Sequence, residues 1–356
     1  MNRRLSRRAR TLAVSAGLLV LLLVGAATLP VPYIALTPGP LYDTIGRTGG
    51  KPVIDVPGRP VFHPASGHLY LTTVSVLGAP GYRLTLFEAM RYWADSSVAV
   101  VPREVEYPPG RDSRQVEAET KEQMVESQDA AKIAALRFLG EKVATDGIVV
   151  SSVESGLPAD GKLKVDDELK SVDGTPVSSA TDLREKIRAH PPGDTVRIGY
   201  VRGGLEGVAA IKTVAAPNAA GLSIIGIAPS ERCPCQTPFD VKIGLDENVG
   251  GPSAGLMFTL GILDTLTPGE LTRGMSIAGT GTMDVDGQVG PIGGIKQKLI
   301  AAKRKGAVAF LVPAGNWDEA NQARPAGLPL YQVSDLTSAV AAVCSITKAT
   351  EKPCGK

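Results

Sequence analysis

Two short segments of this chain carry residues that can do covalent chemistry. Ser253 lies in Gly250-Gly251-Pro252-Ser253-Ala254-Gly255, and Lys298 lies in Gly293-Gly294-Ile295-Lys296-Gln297-Lys298. A serine hydroxyl is a weak nucleophile until a base takes its proton, and a lysine amine becomes such a base when burial lowers its pKa. A pair of this kind can cleave an amide without histidine, metal or nucleotide. The chain has three histidines, His63, His68 and His190, and no His-x-x-x-His pair, so a histidine-rich metal site is not expected. His63 and His68 read as structural, no motif supports a Ser–His–Asp arrangement, and no cofactor is expected.

The elements around these residues can be read from local pattern. Phe239–Leu245 reads as a strand, Asn248–Gly251 as a turn, and the apolar run from Gly255 to Leu263 as the start of a buried helix. Ser253 therefore sits at or beside a helix N-terminus, where unpaired amides and the positive end of the helix dipole gather. Gly251, Pro252 and Ala254 are the candidates for oxyanion and substrate binding, because amides from Gly251 to Ala254 can face a tetrahedral oxyanion. The bland alternative is a plain helix cap. Farther on, Ile277–Gly294 alternates strand and turn signals. A helix follows from about Lys296 to Lys305, stops at Gly306, and leads into a strand at Ala307–Pro313. Lys296 and Lys298 point about 200° apart on such a helix, so only one can face the serine.

The ends and the composition restrict the setting. The first ten residues hold Arg3, Arg4, Arg7, Arg8 and Arg10, and no charge follows from Thr11 to Tyr42. Leu12–Leu29 is almost wholly apolar, enough to cross a hydrocarbon core of about 30 Å. The arginines should remain cytoplasmic, placing the bulk of the chain outside a cell membrane as a single-pass protein. A cleavable signal peptide is the alternative, since Gly25-Ala26-Ala27 offers small residues near the end of the run. The formal charge of +2 without a long basic tract in the folded part suggests no nucleic-acid partner. Cys233, Cys235, Cys344 and Cys354 suit an exported protein. They allow three pairings, two of which tie the 233/235 loop to the C-terminal tail, and one or two bridges clamping the tail are expected. Cys-x-Cys with this second spacing matches zinc poorly.

Between the anchor and Ser253 the chain changes character twice. Pro30–Pro40 reads as an extended, proline-punctuated lead, His68–Val76 as a strand, and Val116–Leu139 as a helix stopped by Gly140. The stretch from about Val143 to Ala215 resembles a PDZ domain of the circularly arranged kind found in bacterial proteases. The likeness rests on Ser155-Gly156-Leu157, Val165-Asp166-Asp167-Glu168-Leu169 and Ser171-Val172-Asp173-Gly174, although Asp166-Asp167 stands where Gly-Asp is usual. It implies a groove in which a peptide adds a strand to a sheet edge. That groove is expected at Gly147, Ile148, Val149 and Val150, facing a helix at Thr181–Ala189. A small spacer that binds nothing is the alternative. Gly156–Lys162 has phosphate-loop spacing, but Leu163 cannot supply the hydroxyl that Mg²⁺ requires, so nucleotide binding is not expected.

Gly250–Gly255, the Thr280-Gly281 turn and Pro291-Ile292-Gly293-Gly294…Lys298…Ala301-Ala302 resemble the proteolytic domain of Lon peptidases. That resemblance selects Lys298, four residues after the second glycine, over Lys296. It makes Ser253 and Lys298 catalytic, with Thr280 hydrogen-bonded near the lysine. It also implies an α+β fold, a Lon-type proteolytic domain with an inserted PDZ domain, preceded by one transmembrane helix. The expected divisions are a basic tip and anchor at 1–32, a first extracytoplasmic part at 33–141, the PDZ domain at 142–216, the Lon-like domain at 217–346 and a tail at 347–356. A homo-oligomer, as a hexamer, is expected by resemblance only. Two departures stand out: Gly250 occupies a position usually held by aspartate, with Asp246 and Glu247 nearby, and no ATPase segment is recognisable. Polypeptide cleavage should then be ATP-independent. The competing expectations are an inactive PDZ scaffold that holds exported chains and a C-terminal processing peptidase.

Overall fold

The structure is a computed structural model that describes residues 7–62, 66–78, 82–107, 113–143, 147–216, 219–231, 237–245 and 249–355. The apolar N-terminal stretch forms helix α1 (Arg7–Thr28). Its segment Arg10–Thr28, with mean hydropathy 2.2, is long and apolar enough to cross a membrane, and none of it is buried against the rest of the chain.

The proline-rich lead that follows is a strand, β1 (Tyr33–Asp43), where the sequence suggested only an extended connection. It pairs antiparallel with β2 (His68–Leu77) along most of its length, and with β3 (Ala99–Pro102) at Tyr33–Leu36 alone. Pro38 and Pro40 lie beyond the reach of β3, and the β1–β2 register shifts between Pro38 and Leu41. A strand tolerates proline at such an edge or bulge, where no ladder bond needs the missing N–H. Helix α2 (Leu86–Trp93) connects β2 to β3 and begins with a capping box made by Thr85 and Glu88. Helix α3 (Ser113–Phe138) forms where Val116–Leu139 was expected; it buries Met124, Ala131, Ile133, Ala135 and Leu136 and leaves Val125 and Phe138 exposed.

The chain divides into two compact units. One comprises Met1–Lys132, Val241–Asp284 and Gln288–Lys356, and the other Ile133–Asp240 with Val285–Gly287. The second unit is thus inserted in the sequence of the first. It contains β4 (Ile148–Val153), β5 (Glu168–Val172), α4 (Ala180–Arg188), β6 (Thr195–Arg202), β7 (Leu205–Lys212) and β8 (Ile227–Glu231). The strands form an antiparallel sheet in the order β7-β6-β5-β4-β8. Alternate residues such as Val196, Ile198 and Ile211 enter its core, and Leu183 and Ile187 of α4 cover them. Ser179 caps α4 by accepting from the Asp182 amide.

The first unit resumes with α5 (Gly255–Leu266), β9 (Ser276–Gly279), α6 (Ile295–Lys305), β10 (Ala309–Pro313), β11 (Leu330–Val333) and α7 (Leu336–Thr347). Its mixed sheet has the order β11-β10-β9-β2-β1-β3. The contacts β2–β9, β9–β10 and β10–β11 are parallel, and those of β1 are antiparallel. All five residues of β10 are buried, which is why it reads as an unbroken apolar run. Ile295, Leu299 and Ala302 of α6 pack with Phe310 and Val312 of this strand. The strand expected at Phe239–Leu245 is reduced to Lys242–Ile243, paired with Ile54–Asp55. Cys344 is bonded to Cys354, so neither ties the tail to the 233/235 loop as expected. Cys233 and Cys235 lie outside the described residues.

Candidate active site and peptide groove

Ser253 stands in a single turn of 3-10 helix, Pro252–Ala254, that leads directly into α5. The α5 segment from Gly255 to Thr265 is buried throughout, so the serine is carried on a rigid element. The turn is anchored through its backbone. The Ser253 carbonyl accepts from the Gly281 amide at 3.0 Å and from Thr280 Oγ1 at 3.1 Å. The Pro252 carbonyl accepts from Ser127 Oγ of α3 at 3.0 Å.

Lys298 sits in the first turn of α6. Gly294 precedes this helix in the left-handed region (φ 67°), and a Cβ there would stand 2.7 Å from Val74 Cγ2, so the second glycine is required sterically as well as conformationally. Asn316 clamps the same loop: its Oδ1 accepts from the Ile292 amide and its Nδ2 donates to the Ile292 carbonyl. The lysine is 3% exposed, while Lys296 is half-buried on another side of the helix. Lys298 Nζ donates to Ser253 Oγ at 2.8 Å and to Thr280 Oγ1 at 2.9 Å. Burial pushes its pKa down to about 7, because the charged ammonium loses its water here.

The expected residues Ser253, Lys298 and Thr280 are therefore brought together. The expected oxyanion donors are only partly suited to that role. Pro252 has no N–H, and the Gly251 amide is already bonded to the Thr120 carbonyl at 2.9 Å. The amides of Ser253 and Ala254 remain as candidates. Thr120 also accounts for the missing acid. A Cβ at position 250 would lie 2.5 Å from Thr120 Cγ2 and 3.3 Å from its carbonyl oxygen, so α3 occupies the place of an aspartate side chain. Asp246, Glu247 and His63 fall outside the described residues. His68 is bonded through Nδ1 to Asp43 Oδ2 at 2.7 Å and stacks on Tyr70. The supporting residues Thr120, Ser127 and Asn316 escaped the sequence reading, because a helix far upstream and a loop downstream give no local sign of what they touch.

In the second unit the strand expected to line a peptide groove has no free edge. Ile148, Val149 and Val150 of β4, which follow Gly147, are paired on both edges: Ile148 and Val149 with β5, and all three with β8. A strand with two neighbours has no edge to offer a peptide. The outer strand beside α4 is β8. A cavity of about 160 Å³ lies there, lined by Leu183, Ile187 and Arg188 of α4 and by Ile224, Ile227 and Pro229. The available signal was the β-branched cluster Ile224, Ile225 and Ile227 broken by Gly226, which marks strands on either side of a glycine turn. In the 156–163 segment, the Gly156 amide is bonded to the Asp160 carboxylate and Leu163 is buried in the core.

Comparison with known proteins finds two domains in this chain. Residues 123–213 match the family model for the PDZ domain, and residues 246–340 match that for the Lon protease (S16) C-terminal proteolytic domain. A Lon protease of Parabacteroides distasonis is 32% identical over 93 residues, covering 25% of this chain and 11% of that protein. A serine protease Do-like HtrA of Lactococcus lactis is 44% identical over 69 residues, covering 19% of this chain and 17% of that protein. The PDZ domain of an SdrC-like protein from Listeria monocytogenes is 34% identical and covers 25% of this chain and 92% of that domain, with a TM-score of 0.23, too low to carry an argument. The chain thus spans between a tenth and a fifth of the length of these curated relatives. It combines a PDZ domain with a Lon-type proteolytic domain of the S16 kind, joined to one helix able to span a membrane.

Proposed function

We propose that this chain is a membrane-anchored serine endopeptidase that uses Ser253 as nucleophile and Lys298 as general base. The observation that carries the reading is the buried Lys298 amine, 2.8 Å from the Ser253 hydroxyl and with its pKa pushed down by burial. The Thr280 hydroxyl donates to the Ser253 carbonyl, so its lone pairs receive an N–H from Lys298. That leaves the amine lone pair to accept the Ser253 proton. The serine oxygen attacks the scissile carbonyl, and the Ser253 and Ala254 amides face the oxyanion. The protonated lysine returns its proton to the leaving amine, and water, activated by the same amine, releases the acyl group.

The substrates are read as unfolded or flexible polypeptides outside the cytoplasmic membrane, since the arginine cluster in the first ten residues favours a cytoplasmic N-terminus. Cleavage is read as ATP-independent: the 156–163 segment has its Gly156 amide engaged by Asp160 and carries Leu163 where a hydroxyl is needed. The groove between α4 and β8 is read as the place where a peptide C-terminus adds a strand. Assembly into a homo-oligomer, a hexamer by resemblance, belongs to the same proposal. The test is incubation of the full chain, in detergent, with an unfolded model protein. Cleavage by the wild type that is lost in both Ser253→Ala and Lys298→Ala supports the reading. Binding without cleavage by the wild type replaces it with a tethered scaffold.

A further inference from the structure

Helix α2 presents an apolar face that the rest of its unit leaves uncovered. Leu86, Met90 and Trp93, spaced i, i+4 and i+7, are 41%, 60% and 79% exposed, with Phe87 beside them, while Leu84 and Ala89 turn inward and are buried. Three successive large apolar residues along one side of a short helix are unlike the scattered exposed hydrophobes of an ordinary surface.

The position of this helix in the chain indicates what covers that face. The first turn of α2 is fastened to the end of α1. The Leu86 amide donates to the Leu29 carbonyl at 3.1 Å, the Val31 amide donates to the Leu84 carbonyl at 2.8 Å, and Pro30 and Thr85 form a bridge. The apolar span ends at Thr28, so α2 begins within one hydrogen bond of the end of that span. At that level tryptophan is favoured, since its ring is apolar and its N–H polar. The charge at this helix is balanced: Arg91 on it and Arg83 just before it are exposed, against Glu88, which is held by the Thr85 cap and the Tyr82 hydroxyl, and Asp95 just beyond it.

We propose that α2 lies in the headgroup layer of the membrane, with Leu86, Met90 and Trp93 inserted toward the acyl chains. This rests on the reading of α1 as a membrane anchor. It adds a second contact that fixes the height and tilt of the proteolytic unit over the bilayer, where a single flexible tether would leave both free.

The full chain reconstituted into phosphatidylethanolamine–phosphatidylglycerol vesicles, with or without dibrominated phosphatidylcholine, tests this. The chain has two tryptophans, Trp93 and Trp317. Brominated lipid is expected to quench wild-type emission, more strongly when the bromines lie near the glycerol end of the acyl chains than near the methyl end. Trp93→Phe, an exposed substitution that leaves the core intact, is expected to lose most of that quenching. Flotation of the vesicles after alkaline extraction reports on α1 separately. Chains that float while Trp93 is unquenched overturn the proposal and leave the anchor standing. Chains that do not float overturn both. A Trp93 emission that shifts with protein dilution but not with bromine assigns the face to a second copy of this chain and also overturns the proposal.

Discussion

Lys298 Nζ lies 2.8 Å from Ser253 Oγ although the two residues belong to different helices separated by strand β9. The contact exists because α5 and α6 both begin at the same end of the sheet unit, each after a glycine-rich turn. The amine reaches the hydroxyl directly and is 3% exposed. Ser253→Ala and Lys298→Ala are each expected to lower kcat at least about 100-fold. Lys296→Ala should retain most activity, because Lys296 is half-buried on another side of α6. Cleavage of a fluorescent unfolded protein measures all three.

The pH dependence follows from the same burial. With the Lys298 amine held down at about 7, the neutral, basic form is populated above that pH. The kcat/KM is expected to rise with pH through about 7 and then level. Stability should carry the complementary signature. Between about 7 and the ordinary value of 10.5, the unfolded chain binds a proton at this lysine that the folded chain does not. Stability from this group therefore rises with pH across that window, and the cost of burying the amine is fully present below it. Lys298→Met should raise stability at neutral pH by about 2 kcal/mol and flatten the rise. Denaturant titrations in detergent at pH 7 and 9 check the sign.

Thr280 acts through its neighbours. It is fully buried, accepts from Lys298 Nζ and donates to the Ser253 carbonyl. Thr280→Val keeps the volume and removes both bonds, so kcat should fall about 10-fold with KM little changed. Thr280→Ser keeps the hydroxyl and should retain most activity. Steady-state kinetics on a peptide substrate separate the two constants.

Restoring an acid at position 250 should fail. Gly250→Asp places its Cβ 2.5 Å from Thr120 Cγ2 and 3.3 Å from the Thr120 carbonyl. The expected result is a loss of about 1–3 kcal/mol of stability as α3 or the serine turn is displaced, and reduced cleavage. Melting temperature and activity, measured on the same preparation, test this together.

The groove beside β8 should bind peptides and the β4 strand should not. Ile224→Asp puts a carboxylate into the cavity between α4 and β8 and should weaken binding of a peptide with an apolar C-terminal residue about 10-fold or more. Val149→Thr, in a strand paired on both sides, should leave the affinity unchanged. Fluorescence anisotropy with a labelled peptide reads both.

Much of this protein is local and could be read from its sequence. The span Arg10–Thr28, the strand at His68, the helix that became α3, the helix α4 and the helix after Gly294 all carry periodicity or caps that adjacent residues decide. Pro38 and Pro40 misled, because proline forbids a ladder bond only where a neighbour asks for one, and β3 ends before reaching them. The free edge expected at Ile148–Val150 is occupied on both sides, because a strand signal does not say which of its edges a neighbour takes.

By itself, the sequence determined the chemistry available to this chain: a serine in a glycine turn, two lysines on one helix, a span without charge and a module with strand-adding character. Tertiary structure alone decided which lysine loses its water, which amides are already bonded, why no acid fits at position 250 and which sheet edge is left open. The physical reason is that hydroxyls, amines and glycines are set by covalent identity, whereas desolvation, hydrogen-bond competition and steric room depend on residues such as Thr120 and Ser127 that arrive from far along the chain.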